Sequence, residues 1–411
     1  MSVVGGSALI SEKRQTASEK AQAGRNVRIE VVRVSDLTRF AEDFFRNSAG
    51  QMMAPISRQR AAGMKHNPFA DPNDPGLIVA YDGEKVVAHY GIVPGLLKTR
   101  DGYSKVLWGS ALFVHPDYRA SRVFLDLIRT VFSFRTDFVI SGFTDAVHRI
   151  YKTLGFRELK PLEIWTINVA KLDFFGATLW LARDRGRISE SVWKIASTAA
   201  PAMRLFFYRP LRILYFKWLA SGAKRQLNGI RFREVSRIQS GGESVPVNAH
   251  FVHGAEAVNW MLAHPWVLES ATRPGADGDP PYYFYDYRED LFRHYAIEFD
   301  NLDGELAGYL AFSIQAGKGS AIFKLTEFSA RDIRDLSTVF WLAALYAARH
   351  RVDHFEAAST MRPFMAQIPL ARFLVRSGYR RYLCHPIKGG QLEKVMDQLD
   401  LQYGDGDCAF T

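Results

Sequence analysis

The sequence predicts a mixed α/β fold in which one module occurs twice, the two copies joined by a helical connector. Three observations lead there. Runs of β-branched and aromatic residues alternate with stretches of helical period. Two of those runs fold back at Asp82-Gly83 and Asp303-Gly304, the turn chemistry of a β-hairpin. Each hairpin is followed at a similar distance by a glycine-aromatic pair: Gly83 precedes Gly155 by 72 residues and Gly304 precedes Gly378 by 74. Two landmarks at nearly one separation point to an internal duplication. A chain of 411 residues has room for about two to three domains, so two copies and a connector fill it.

In the first copy, Leu77–Tyr81 and Lys85–Gly91 are the arms of the hairpin, and Val106–Val114 is the next strand. A polar turn, His115–Ser121, leads into a helix over 123–134, with Ser121 as its N-cap. Asp137–Ser141 is a strand, Arg149–Leu154 belongs to a helix that closes on Gly155, and Leu162–Ile167 is the last strand. The second copy repeats the order: strands 295–299 and 306–312, a strand over 321–328, a helix over 337–351, a strand over 352–357 and a helix over 363–377. The predicted segments are a disordered tail (1–25), an N-terminal domain (26–171), a helical connector (172–228) and a C-terminal domain (229–411).

Composition narrows the class. Apolar residues make up 47% and charged residues 23%, as in folded soluble proteins. Two cysteines, Cys384 and Cys408, exclude a disulfide framework and a four-cysteine zinc site, and suit a reducing compartment. Lys and Arg number 53 against 43 acids, a net +10 that leans toward anionic partners. The N-terminal 25 residues lack the basic start and sustained apolar run of a signal peptide, and no window is apolar enough to span a bilayer. Ala202–Ala220 comes nearest, interrupted by Arg204, Arg209, Pro210, Arg212 and Lys217. Two readings of it stay open: a pair of interdomain helices broken near Pro210, or an interfacial segment over 202–225 that touches an anionic membrane peripherally.

The chemistry concentrates between Leu112 and Phe124, LFVHPDYRASRVF. A strand that ends in a turn feeding a helix N-terminus aims several unpaired amides and the positive end of a helix dipole at one spot, which suits a pyrophosphate. Arg119 and Arg122 add guanidinium donors for phosphate oxygens. This segment resembles the central motif of the GNAT superfamily of N-acetyltransferases, and Ile150–Phe156 (IYKTLGF) resembles that superfamily's closing element. The resemblance covers about 75–170 and, more faintly, 295–388, so the chain is similar to tandem-GNAT proteins. It implies acetyl-CoA or another acyl-CoA as cosubstrate, held by Phe113, Val114, Arg119, Ala120, Ser121, Arg122, Val123 and Phe124. It also implies that Tyr151, four residues before Gly155, protonates the departing thiolate.

The loop departs from the superfamily's pattern, because Arg122 and Phe124 stand where that pattern has Gly and Gly or Ala. Arg122 serves there only with a negative φ. The second copy's loop, Arg331–Ser337, has no glycine and places Asp332 and Asp335 where phosphate would lie, and Leu374 replaces Tyr151. The second copy is therefore expected to shape the acceptor site without doing chemistry. His89, His115, His148, Asp145 and Glu163 are candidate general bases, though water can also take an amine's proton. His250 and His253 lack the further ligands of a metal site. Trp260, Met261 and Trp266 read as packing or as the wall of an acceptor pocket, in a Trp…His-Pro segment resembling one that opens the second half of some tandem GNATs.

The expected function is transfer of an acetyl group from acetyl-CoA to a primary amine of a small metabolite or amino sugar, without metal and without nucleic acid. Two alternatives stand beside it. One is a Fem-type aminoacyltransferase, which pairs two similar modules but often carries a coiled-coil insertion not seen here. The other is a non-catalytic scaffold in envelope-polysaccharide biosynthesis. The expected location is cytoplasmic, with contact at the inner membrane face.

Overall fold

The computed structural model describes residues 27–172, 189–190, 206, 208–239, 249–252, 254–266, 268–269, 288–289, 291–317 and 320–406. The predicted tail, most of 172–207, His253 and Cys408 lie outside them. Among the described residues the strands of the first half are β1 (Val27–Arg33), β2 (Pro75–Asp82), β3 (Lys85–Thr99), β4 (Gly102–Val114), β5 (Asp137–Ser141), β6 (Arg157–Glu158) and β7 (Leu162–Asn168). Then come β8 (Phe232–Val235), β9 (Ala249–Phe251), β10 (Leu268–Glu269), β11 (Arg288–Glu289), β12 (Leu291–Asp300), β13 (Leu306–Gly317) and β14 (Ser320–Ser329). The last are β15 (His354–Ala358), β16 (Val375–Arg380), β17 (Tyr382–His385) and β18 (Leu399–Asp400). Helices α1 (Leu37–Arg46), α2 (Arg58–Lys65), α3 (Val123–Ser133) and α4 (Asp145–Thr153) precede α5 (Arg209–Gln226) and α6 (Ala255–Ala263). They are followed by α7 (Ile333–Arg349), α8 (Arg362–Met365), α9 (Ala371–Leu374) and α10 (Gln391–Val395).

The duplication is visible in the hydrogen bonding. One sheet runs β1-β2-β3-β4-β5-β17-β6, and the other runs β8-β12-β13-β14-β15-β7-β16. Along each of these paths one neighbouring pair is parallel, β4 with β5 and β14 with β15, and the rest are antiparallel. The equivalent strands β7 and β17 have traded sheets. β7 follows the first copy's closing turn yet pairs with β15 and β16, while β17 pairs with β5 and β6.

The compact units therefore cut the chain differently from the predicted segments. One takes residues up to Lys160, 248–288 and 381 onward; the other takes 161–247 and 289–380. In the first unit α3 and α4 cover one sheet face, burying Val123, Leu127, Ile128 and Tyr151 with Ile78, Val87, Tyr90 and Phe138. The segment around Trp260 also belongs to this unit, where the Trp260 indole donates to the Gly63 carbonyl at 2.7 Å. In the second unit α5 and α7 pack together, and their apolar faces join Phe312, Phe323 and Phe355 of the sheet.

Two local expectations are corrected. The helix predicted over 363–377 is two short turns, α8 and α9, and Gly378 lies in β16 opposite Ile164. Pro369 has no amide to donate and pushes the residue before it out of helical geometry, and Leu370 then takes a left-handed φ of 56°. The N-cap of α3 is Arg122, with Ser121 one residue outside it. No helix among the described residues is long and apolar enough to cross a membrane.

Candidate active site in the first unit

The site starts from a fault in the first sheet. Strands β4 and β5 pair only from Val106↔Asp137 to Gly109↔Ile140. Just beyond, β4 bulges: the β3–β4 register shifts between His89 and Gly91, and Ala111 sits at φ 54°. A left-handed alanine costs about 1–2 kcal/mol, and such strain persists where surrounding structure overdetermines it. Beyond the Gly109↔Ile140 pair β4 runs on to Val114, whereas β5 ends at Ser141, held on its other side by Tyr382 of β17. The carboxyl ends of two parallel strands thus part, which is where open α/β sheets admit ligands. The His115 amide donates to Val87 O at 2.9 Å, so by alternation the Val114 amide points to the side that β5 has left.

The turn beyond β4 is held by its own side chains. Arg119 Nε donates to Val114 O at 3.2 Å, with its guanidinium over the Phe113 ring at 5.9 Å. Ser121 Oγ donates to Tyr118 O at 2.6 Å and accepts from the Val123 amide at 3.3 Å. Arg122 has φ −79°, the negative value that a side chain at this position requires. The amides of Phe124 and Leu125 have no acceptor among the described residues. The guanidinium of Arg122 is tied to Asp126 at 3.1 Å, a pair that offsets part of the positive charge. Ala120 is exposed and Val123 is buried as the first residue of α3.

Tyr151 closes the site from α4. Thr144 caps that helix by accepting from the Val147 amide, and Gly155 ends it at φ 89°. Tyr151 is 2% exposed, its ring edge-on to Phe156 at 4.6 Å and to Phe124 at 5.7 Å. Its hydroxyl lies 3.0 Å from that of Tyr90 on β3. The Tyr90 hydroxyl in turn rests on Gly109, where a Cβ would come within 2.1 Å of it. Gly109 is the last β4 residue paired to β5. The phenol of Tyr151 is therefore held between Tyr90, which rests on Gly109, and Phe124 in the first turn of α3. Tyr90 and Gly109 were not singled out from sequence. The signal was a tyrosine within the aliphatic run of β3, opposite a glycine in β4.

His89 reaches the β4 bulge, its ring stacked on Phe113 at 6.0 Å, and the other candidate bases are engaged elsewhere. His89 is fully buried, and burial, with Arg60 nearby, pushes its pKa down to about 3, so it stays neutral at working pH. His115 accepts from the Asp117 amide in the turn, His148 pairs with Glu158 at 2.9 Å, and Asp145 pairs with Arg381 at 2.6 Å. Glu163 lies in β7 and so in the second sheet. Cys384 is buried, its thiol pushed up to about 12 by desolvation. The described residues hold no cluster of three or more potential metal ligands.

The second unit shows the same plan with the start of its helix already occupied. Asp332 Oδ1 accepts from the amides of Arg334 and Asp335 at 2.7 and 2.9 Å, occupying the donors at the start of α7. Those bonds hold its carboxyl below the usual range. Leu374, at the position of Tyr151, is fully buried and carries no polar atom.

No protein-family model matches the chain, and no curated protein matches its sequence. Solved structures do resemble it. A GCN5-related N-acetyltransferase from Anabaena variabilis is 12% identical, with 88% of this chain and 73% of that one covered and a TM-score of 0.46. An N-myristoyltransferase from Saccharomyces cerevisiae with bound myristoyl-CoA is 10% identical, with 88% and 82% covered and a TM-score of 0.43. A tandem GNAT protein from the clavulanic acid biosynthesis pathway is 11% identical, with 88% and 98% covered and a TM-score of 0.41. These are coarse similarities, and none of them assigns a substrate to this chain.

Proposed function

We propose that the protein is an acyl-CoA-dependent N-acyltransferase whose chemistry resides in the first unit. One observation carries this reading: the buried Tyr151 hydroxyl is paired with that of Tyr90 over Gly109, the last β4 residue paired to β5, while its ring packs on Phe124 in the first turn of α3. In this reading the amides of Phe124 and Leu125, with Arg119 and Arg122, take the pyrophosphate, and the Val114 amide polarises the thioester carbonyl. The amine nitrogen attacks the carbonyl carbon, the C–S bond breaks, and the thiolate takes the Tyr151 proton while the amine loses one to water. Tyr90 holds the phenol in line and links it to a second hydroxyl. A two-carbon acyl group and a small primary amine are the simplest substrates for this reading.

Calorimetric titration of the full chain with acetyl-CoA and CoA is the test. Saturable binding below millimolar concentration supports the reading; no binding at millimolar concentration overturns it. A second reading, a non-catalytic binding module, is favoured by the Arg122–Asp126 pair, which draws one guanidinium away from the phosphate position. It predicts no thiol release from acetyl-CoA in the presence of any amine.

A further inference from the structure

Helix α5 buries one side and leaves the other open. Tyr215, Phe216, Leu219 and Ala223 face the core of the second unit. The open side is not polar: Leu211 is 37%, Leu214 63% and Trp218 55% exposed. Their spacing of three and four residues makes one continuous stripe. Ile213 and, just before the helix, Phe206 are exposed as well.

The charges along this helix are all of one sign. It carries Arg209, Arg212, Lys217, Lys224 and Arg225 and no acidic residue. Arg212, one of the four cations that interrupt the segment in the sequence, is half-buried, paired with Asp353 at 3.2 Å and donating to Arg351 O. With Arg212 half-buried against Asp353, the exposed residues of α5 are apolar at Leu211, Leu214 and Trp218 and basic at Arg209, Lys217, Lys224 and Arg225. At 100° per residue Lys217 and Lys224 lie side by side next to the stripe, and Arg225 continues its line.

We propose that this face of α5 seats the protein on an anionic lipid surface. Trp218, Leu214 and Leu211 enter the headgroup boundary, and Lys217, Lys224 and Arg225 meet lipid phosphates and carboxylates. A protein partner would need acids and an apolar surface in matching order, whereas an anionic bilayer supplies both over any area.

The test is co-sedimentation of the full chain with phosphatidylcholine vesicles and with vesicles containing about a third phosphatidylglycerol, in about 0.1 M salt. The expected result is at least about tenfold stronger binding to the anionic vesicles, reversed in about 0.5 M salt. Leu214→Ser/Trp218→Ser and Lys217→Glu/Lys224→Glu should each remove it. These side chains are exposed, so unchanged thermal unfolding of both variants serves as the folding control. Failure to pellet with either vesicle, or equal binding to neutral ones, overturns the proposal. So does a concentration-dependent dimer in sedimentation velocity that Leu214→Ser/Trp218→Ser abolishes, because the face then belongs to a second copy. Each readout is independent of CoA binding.

Discussion

The Tyr90–Tyr151 hydroxyl pair gives the sharpest test of the proposed chemistry, because either hydroxyl can be removed to break the same bond while the reaction uses only one as acid. Removing either hydroxyl deletes one buried bond of 3.0 Å. The net value of such a bond is about 0.5–1.5 kcal/mol, so Tyr151→Phe and Tyr90→Phe should lower unfolding stability by similar, modest amounts in urea. Turnover should separate them. A general acid contributes about 10²–10⁴-fold, equal to about 3–5 kcal/mol of barrier, so Tyr151→Phe should lose that much in kcat. Tyr90→Phe should lose about tenfold, the cost of a less well held phenol. Neither change touches the amides of α3, so the CoA dissociation constant should stay within about twofold for both. Thiol release from acetyl-CoA over a panel of primary amines measures kcat, and calorimetry measures binding. If Tyr151→Phe keeps turnover within about threefold of the parent, the acid role is refuted. If Tyr90→Phe is as damaging as Tyr151→Phe, the pair is a structural unit and the assignment to Tyr151 alone fails.

Three further outcomes follow from the geometry. Gly109→Ala places a methyl 2.1 Å from the Tyr90 hydroxyl, so it should cost about 1–3 kcal/mol in stability and also depress turnover; unchanged turnover would detach Gly109 from the site. Asp126→Asn releases Arg122 from its exposed ion pair, so CoA should bind about three- to fivefold more tightly, and weaker binding would remove Arg122 from the phosphate cradle. His89 is fully buried and His294 half-buried, and both are held down at about 3 chiefly by desolvation, below the unfolded value near 6.5. The unfolded chain then binds more protons than the folded one below pH about 6.5, so stability is intact above that pH and falls in acid. The slope approaches about 1.4 kcal/mol per unit for each histidine. Urea midpoints of the parent and of His294→Gln at pH 7 and 5 check this, with a shallower loss expected in the variant.

Much of the site was legible where it is local. The strand-turn-helix from Leu112 to Phe124 and the helix carrying Tyr151 are set by short-range signals: strand alternation, a His-Pro-Asp turn, and Gly155 ending a helix. Asp332 reads from the sequence as a residue that repels phosphate. Its side chain acts earlier than that, capping the amides themselves. Tyr90 escaped notice because its importance lies in reaching across from β3 to a side chain 61 positions away. Nothing within β3 distinguishes it from an ordinary core aromatic.

The sequence by itself determined the duplicated order of strands and helices, since periodicity, Asp-Gly turns and proline act over a few residues. Only the tertiary structure decided which sheet receives β7 and which receives β17. Each is an apolar strand bounded by turns, and its own side chains look the same whichever neighbour takes its hydrogen bonds. The same holds for Arg212. A cation three residues after Arg209 and five before Lys217 reads as surface charge until the fold brings Asp353 to it, and only then does the outer face of α5 read as apolar residues beside Lys217, Lys224 and Arg225.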